Sequence, residues 1–421
     1  MTGGPLGGIR ILALEQMQAL PFATQLMGWF GAEVIKIEHP TMGESGRAST
    51  PAMPDPWGRP VGATFLRNNL NKRSVGIDLK DPRGVALVRR LAGSADVVAE
   101  NFRPGVLTRL GLSLDSLRDH DPALITCSVS GFGSDPASPY RDWAAYASIV
   151  EAMSGIYMFS KRPDEPPRAN PVGALGDISS ALFAVVGIFA ALRERDVTGL
   201  GQHVDIAMLD AMISMSDVVP AFHSLGVRRD EGHPLEVLLD TFAADDGWFV
   251  LQVGREHQFA KLAELVGHPE WLTDPRFASR TGWVEHCEEA IRPAIESWAS
   301  GMTRAQACDQ LSAAGVVAGP VFKAADVVSD PHVAAHDMLI STPRTDGGEP
   351  LLQPGNPVKL SRAEPGQQRR FPWVGEHTDE VLRDLGGLTE ADVEELRAGG
   401  VISPSLPPFV EEGADPDGDR G

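Results

Sequence analysis

Apolar and polar positions alternate in blocks along the first 130 residues. Residues 9–14 are a nearly continuous apolar run, which predicts a buried strand. Residues 22–30 predict a helix closed by Gly31, and residues 33–37 a second strand. A strand–helix–strand unit of this length implies a parallel, right-handed crossover. The pattern continues with strand 74–79, helix 82–91, strand 96–99, helix 106–110 and strand 124–129. Alternation of this kind predicts an α/β fold, a doubly wound Rossmann-like sheet with its ligand at the carboxyl ends of the strands.

A different pattern starts at Gly173-Ala-Leu-Gly-Asp177. Residues 178–192 are apolar on nearly every helical face, with Ile178, Leu182, Val185, Val186, Phe189 and Leu192 forming the strongest stripe. Such a helix belongs in a large core or an oligomer interface. Arg193-Glu-Arg-Asp196 ends it near Gly199. From about residue 222 the texture changes again. Residues 241–253 predict a hairpin turning at Asp245-Asp-Gly247, followed by helices at 257–266, 283–298 and 303–314. Near Asp330-Pro331 the chain leaves this region. A helix starts within 375–382, and Thr389-Glu-Ala-Asp392 has the form of a helix-start capping pattern. Pro, Gly and acidic residues dominate from Ser403. The expected organisation is a large α/β domain over 1–222, a smaller α+β domain over 223–330, a return to the large domain over 331–402, and a disordered acidic tail over 403–421.

The chain has 421 residues, 43% of them hydrophobic, and a net charge of −20. That charge argues against a nucleic-acid partner but leaves room for a local basic pocket. Cys127, Cys287 and Cys308 are far apart and form no CxxC pair, so neither a disulfide framework nor a zinc site is expected. The N-terminus lacks a basic start and an apolar signal core. The longest apolar run, 181–192, falls short of the ~18 residues of a membrane span. A cytoplasmic protein with no membrane contact is expected.

Asp177 is the candidate for chemistry. An Asp before a helix is commonly an N-cap that accepts backbone N–H bonds. The same position keeps a carboxylate ionised, because N–H groups and the helix dipole favour its charge. An ionised, partly desolvated carboxylate can attack an activated carbonyl. Gly173 and Gly176 would allow close approach of the backbone and offer N–H donors to an oxyanion. The two roles are compatible.

Gly173-Ala-Leu-Gly-Asp177, with Thr198-Gly-Leu-Gly-Gln-His-Val-Asp-Ile-Ala-Met-Leu-Asp210, resembles the core signature of the family III CoA-transferases. That group includes the formyl-CoA:oxalate, carnitine and bile-acid CoA-transferases. Pro5-Leu-Gly-Gly-Ile-Arg-Ile-Leu12, Gly31-Ala-Glu-Val-Ile-Lys-Ile-Glu38, Asn71-Lys-Arg-Ser-Val-Gly-Ile-Asp-Leu79, Glu100-Asn-Phe-Arg-Pro-Gly-Val106, Gly131-Phe-Gly133 and Gly375-Glu-His-Thr378 match in the same order. The resemblance implies that Asp177 is a covalent nucleophile. It would pass CoA from an acyl-CoA to a carboxylic acid through an aspartyl anhydride and an aspartyl-CoA thioester. CoA and acyl-CoA would be substrates, with no permanently bound cofactor and no metal. It also implies an interlocked homodimer.

By position, the resemblance assigns CoA contacts to Gln18, Ala19, Asn69, Asn71, Lys72, Arg73, Asn101, Phe102, Arg103, Arg109 and Tyr146. For any one cation the ordinary alternative is surface charge, and for Tyr146 it is core packing. Three positions depart from the formyl-CoA transferase pattern. His39 replaces an arginine, Ala144 a lysine, and Ala147 the aspartate of a Tyr-Asp pair. No glycine-rich loop is recognisable between Ser224 and Phe242. These departures predict an acceptor other than oxalate. His223, Arg228 and His233 lie in the variable stretch, as acceptor contacts or as exposed loop.

Three other functions compete with this reading. An acyl-CoA racemase or epimerase of the same fold needs a histidine where Tyr146 stands, and no histidine lies between His120 and His203. A dinucleotide-binding oxidoreductase needs a GxGxxG loop after the first strand, which is missing. Retention of Asp177 argues against a CoA-binding protein without transferase activity, an alternative that an assay decides.

Overall fold

The computed structural model describes residues 3–161, 165–170, 174–228, 235–362 and 369–406. These group into two compact units, each described by itself. The first contains the described residues of 1–157, 168–219 and 338–421, and the second those of 158–167 and 220–337. The excursion at 158–167 groups with the second unit, a feature the linear pattern did not suggest.

In the first unit the predicted alternation forms a six-stranded sheet. Its strands are β1 (Arg10–Leu14), β2 (Glu33–Glu38), β3 (Lys72–Gly76), β4 (Val97–Glu100), β5 (Ile125–Ser130) and β6 (His203–Ala207). The order is β3-β2-β1-β4-β5-β6, with every pairing parallel. The chain builds outward from β1 to one edge, then restarts beside β1 and builds to the other. The β1/β4 neighbours mark the reversal, where a crevice opens at the carboxyl ends of such sheets. The apolar runs are nearly continuous because both faces are covered. Ile11 and Ala13 join one core, and Leu12 and Leu14 the core on the opposite face.

Two strands differ from the sequence pattern. β3 starts at Lys72, two residues earlier than expected, because Lys72 and Arg73 pair with Val34 and Ile35 and find carboxylate partners. β6 lacks a strand pattern in the sequence because His203 and Asp205 interrupt its apolar signal.

Six helices of this unit position the site: α1 (Ala19–Trp29), α2 (Ala63–Leu66), α3 (Pro82–Ala92), α4 (Ala147–Met153), α5 (Leu175–Thr198) and α6 (Met208–Met215). α5 packs through Val185, Phe189 and Leu192 of the expected stripe together with a neighbouring face of small residues. Ser179, Ser180, Ala181, Ala184, Ile188 and Ala191 are buried, while Leu182 and Val186 are exposed. The small residues let the helix approach the sheet closely. A Cβ at Gly187 would lie 2.6 Å from a Val204 methyl. Among the described residues, α5 is the helix long and apolar enough to cross a membrane by length and composition.

The second unit contains an antiparallel sheet of β7 (Leu238–Ala244), β8 (Gly247–Val253) and β9 (Val317–Pro320), with β8 central. The predicted hairpin is β7–β8. Helices α7 (Glu256–Leu265), α8 (Arg292–Ala299) and α9 (Arg304–Ala314) pack with the sheet around a core that includes Phe242, Phe249 and Leu251. The single helix expected over 283–298 is interrupted at Cys287–Ile291 by a wider turn. Pro293 follows at once, and a proline cannot donate within a continuous helix.

The chain then returns to the first unit as α10 (Thr378–Asp384) and α11 (Glu390–Ala398). Thr389 and Asp392 form the expected capping box. Packing continues through Ser403, which is buried and donates to the Pro40 carbonyl at 2.7 Å. Residues 407–421 of the predicted tail lie outside the described residues.

Candidate active site

α1 leaves the carboxyl end of β1, and α5 feeds the amino end of β6. Both therefore run against the strand direction and parallel to each other. Phe30, just beyond α1, packs edge-on against Phe189 of α5 with ring centroids 5.9 Å apart. Eleven residues back along each chain (30 to 19, 189 to 178) bring Ala19 level with Ile178. Equal rise along parallel helices thus places Gln18 beside Asp177, at the carboxyl side of the sheet.

Asp177 is not the N-cap. α5 begins at Leu175, so Asp177 is its third residue, and the N-cap position is Ala174, which offers no side-chain bond. The helix start is served instead by Glu151 of α4. Its buried carboxylate accepts from the Gly176 N–H at 3.1 Å and from the Tyr157 hydroxyl at 2.6 Å. This corrects the expected role of Gly176, whose N–H is committed to Glu151 and not free for an oxyanion. The glycine is required for another reason. A Cβ there would lie 2.7 Å from a Val150 methyl and 3.0 Å from the Ala147 Cα. Gly173 lies outside the described residues.

The same arrangement reverses the expected electrostatics. Burial pushes the Asp177 carboxyl up to about 6; the positive charge of Arg67 opposes the rise and the negative charge of Glu151 adds to it. Asp177 is still mainly ionised at neutral pH, and it is a more basic carboxylate than an exposed one. Neither Arg67 nor Glu151 stood out in the sequence. Arg67 precedes the polar run of Asn68, Asn69 and Asn71, and Glu151 sits in an unremarkable amphipathic segment.

Several predicted contacts meet at the carboxyl ends. Gln18 is buried at the start of α1, and its side-chain oxygen accepts from Arg67 Nη2 at 2.7 Å. Ala19 follows it, also buried. Asn101, just after β4, accepts from the Gln16 N–H at 2.9 Å and donates to the Gln16 carbonyl at 2.9 Å. It locks the loop after β1 to the loop after β4 across the β1/β4 reversal. Phe102 follows, with its N–H bonded to Glu100. Arg103 and Arg109 are exposed beyond it. Tyr146 is 71% exposed, which removes the core-packing alternative.

Four predicted contacts are committed elsewhere. Lys72 Nζ is fully buried and donates to Glu15 Oε1 at 2.6 Å, the Pro21 carbonyl at 2.8 Å and Asn69 Oδ1 at 2.9 Å. An ammonium has three donors, so none is left for a phosphate. Burial pulls Lys72 below the usual lysine range, Glu15 opposes this, and nearby Lys36 adds to it. Asn69 is buried in the same network and donates to the Phe65 carbonyl. Arg73 stands near the amino end of β3, away from the ligand side, and pairs with Glu33 and Glu380. Asn71 precedes β3 with φ of +63° and exchanges bonds with the backbone of Arg369.

At the departures from the family pattern, His39 is exposed after β2 and accepts the Thr41 and Met42 N–H groups on Nδ1. Ala144 is exposed, and Ala147 is buried beneath Gly176. His223 is exposed in the second unit, its carbonyl accepting from Arg228, and His233 lies outside the described residues.

A family model described as CoA-transferase family III matches residues 6–378. The chain belongs to this family. It is 38% identical to the succinyl-CoA–D-citramalate CoA-transferase of Chloroflexus aurantiacus over 407 residues, covering 94% of this chain and 98% of that protein. It is 31% identical to the succinyl-CoA:glutarate CoA-transferase of Mus musculus over 406 residues, covering 94% and 90%. The crystal structure of a CAIB/BAIF family protein from Brucella suis superposes with a TM-score of 0.79 at 32% identity, covering 91% of this chain and all of that one. The protein is therefore a family III CoA-transferase, acting on CoA thioesters and carboxylic acids.

Proposed function

We propose that this transferase moves CoA from succinyl-CoA or a similar short acyl-CoA to a dicarboxylic acid, with Asp177 carrying the group covalently. The observation behind this reading is a partly desolvated carboxylate in the first turn of α5, level with Gln18 at the ligand side of the sheet. The names of the succinyl-CoA-dependent relatives support the donor and the acceptor class.

The chemistry follows from an ionised Asp177. An oxygen of its carboxylate attacks the thioester carbonyl, the C–S bond breaks, and CoA leaves as thiolate. The product is a mixed anhydride. The thiolate attacks the Asp177 carbonyl carbon and expels the donor acid, leaving an aspartyl-CoA thioester. The acceptor carboxylate attacks that thioester and releases thiolate again. Thiolate attack on the acceptor carbonyl of the second anhydride then yields the new acyl-CoA and regenerates Asp177. No net proton is consumed, and the thioester's energy stays in covalent bonds while water is excluded. We infer that Gln18, Ala19, Asn101, Phe102, Arg103, Arg109 and Tyr146 contact CoA, whereas Lys72, Arg73, Asn69 and Asn71 support the scaffold. We infer further that the enzyme works as a homodimer in the cytoplasm, a state favoured by the exposed apolar face of α5.

The test is intact-protein mass spectrometry after incubation with succinyl-CoA, with hydroxylamine or borohydride trapping. The expected result is a modification mapped to Asp177 and lost in Asp177→Ala. Transfer at the normal rate by Asp177→Ala would exclude the covalent route.

A further inference from the structure

Residues 65–70 form a tightly held segment in which only one side chain faces outward. Phe65, Leu66, Asn68, Asn69 and Leu70 are buried, and Arg67 is exposed. The backbone on either side is fixed. The Gln25 amide donates to the Arg67 carbonyl at 3.2 Å and accepts from the Leu70 N–H at 2.7 Å. Asn68 donates to the Thr64 carbonyl at 2.8 Å. An outward-facing cation on so rigid a support is held in one place.

Arg67 uses a single side-chain hydrogen bond, from Nη2 to Gln18 Oε1 at 2.7 Å, and makes no ion pair among the described residues. A guanidinium has five N–H donors, so four are open. The bond also sets Gln18. Because arginine can only donate, the Gln18 oxygen must face it, and the amide NH₂ is turned the other way. Gln18 lies level with Asp177 through the parallel packing of α1 and α5. Arg67 therefore stands beside the reacting carboxylate without pairing to it, within a chain of net charge −20.

This charge arrangement distinguishes two kinds of acid. A monocarboxylate loses its charge when its carboxylate becomes an anhydride or a thioester. A dicarboxylate keeps one negative charge throughout, and that charge needs a partner in a partly desolvated site. The planar guanidinium fork suits a carboxylate in two-point contact.

We propose that Arg67 receives the non-reacting carboxylate of the acid substrate and so makes the enzyme select dicarboxylic acids, an assignment that rests on Asp177 being the reacting group. Arg67 is a specificity determinant here, and Gln18 the group it orients.

The experiment compares succinate and glutarate with butyrate and valerate, acids of equal carbon number and one fewer charge. Binding is measured by calorimetry in the presence of CoA for the wild type, Arg67→Gln and Arg67→Lys, with thermal melts as a folding control. The wild type should prefer the dicarboxylates. Arg67→Gln should weaken them at least tenfold and leave the monocarboxylates within about twofold. Arg67→Lys, which keeps the charge but not the fork, should fall between and serves if Arg67→Gln does not fold. Equal loss for both classes, unchanged dicarboxylate binding, or no preference in the wild type would overturn the proposal. The Asp177 adduct separates this from the reaction itself. Arg67-dependent binding without an adduct would overturn the covalent route alone, and an adduct without Arg67 dependence would overturn the assignment of Arg67 alone.

Discussion

At Asp177 and Lys72 the charged state is set by burial and by partners distant along the chain. Asp177 looked like a capped, comfortably ionised carboxylate, yet a second carboxylate, Glu151, occupies the helix start and burial raises the Asp177 pKa. A carboxyl group whose pKa is raised from 3.8 to about 6 holds its proton more tightly in the folded state. Its contribution to stability is full below the unfolded value and is lost as pH rises through the folded value. Asp177→Asn should therefore melt like the wild type at pH 4 and become more stable between pH 4 and pH 7. The gain should level off at about 2–3 kcal/mol, read from thermal or urea unfolding across that range. A constant difference at all pH values would contradict it. The family resemblance implied a CoA contact for Lys72, where the residues alone suggested surface charge. All three of its donors are spent under the loop after β1. Lys72→Ala leaves Glu15 with Lys36 at 3.4 Å as its remaining cation, beside the Thr24 hydroxyl at 2.8 Å, and should cost about 3 kcal/mol of stability. Urea unfolding measures that loss, and the KM for acyl-CoA in the folded fraction should stay near the wild-type value.

At the scale of elements, hydrophobic periodicity located α5 but only part of the face that packs. Val185, Phe189 and Leu192 of the expected stripe meet the core while Leu182 and Val186 do not, because helix-to-sheet contact is decided by distance of approach. Small residues permit that approach, so Ser179, Ser180, Ala184 and Gly187 turn inward and Leu182 and Val186 outward. The start of the helix obeys the same rule. Gly176 lies against Ala147 and Val150, and a methyl group there meets the Ala147 backbone at 3.0 Å, where no rotamer can yield. Gly176→Ala should shift the first turn of α5 and with it Asp177, costing about 1–3 kcal/mol of stability. Because misplacing a reacting group by an ångström can cost ~100-fold, kcat should fall at least tenfold. Steady-state kinetics with succinyl-CoA reads this, and an unchanged kcat would show that the site does not depend on that contact.

For the whole molecule, Leu182 and Val186 on α5, Ile213 and Met215 on α6, and Trp143, Tyr146 and Ile149 leave large apolar side chains exposed in one chain. A monomer seldom leaves so much apolar surface on neighbouring elements uncovered. Light scattering after gel filtration should give twice the 45.1 kDa chain mass. The double variant Leu182→Asp, Val186→Asp should shift it toward one chain, and a wild-type mass of 45.1 kDa would reject the dimer. The amino-acid sequence alone determined the alternating strands and helices of the first 130 residues, the hairpin of the second unit and the capping box at Thr389. Each rests on local spacing, and local spacing fixes backbone hydrogen bonding whatever packs on it. Only the tertiary structure decided that Glu151 serves the start of α5, that Lys72 is interior while Arg67 is exposed and bonded to Gln18, and that the small-residue face of α5 turns inward. Those outcomes depend on which residues distant along the chain meet: 151 with 176, 15 with 72, 18 with 67 and 187 with 204. Burial and charge pairing act between such partners, so no window of the chain contains the information that sets them.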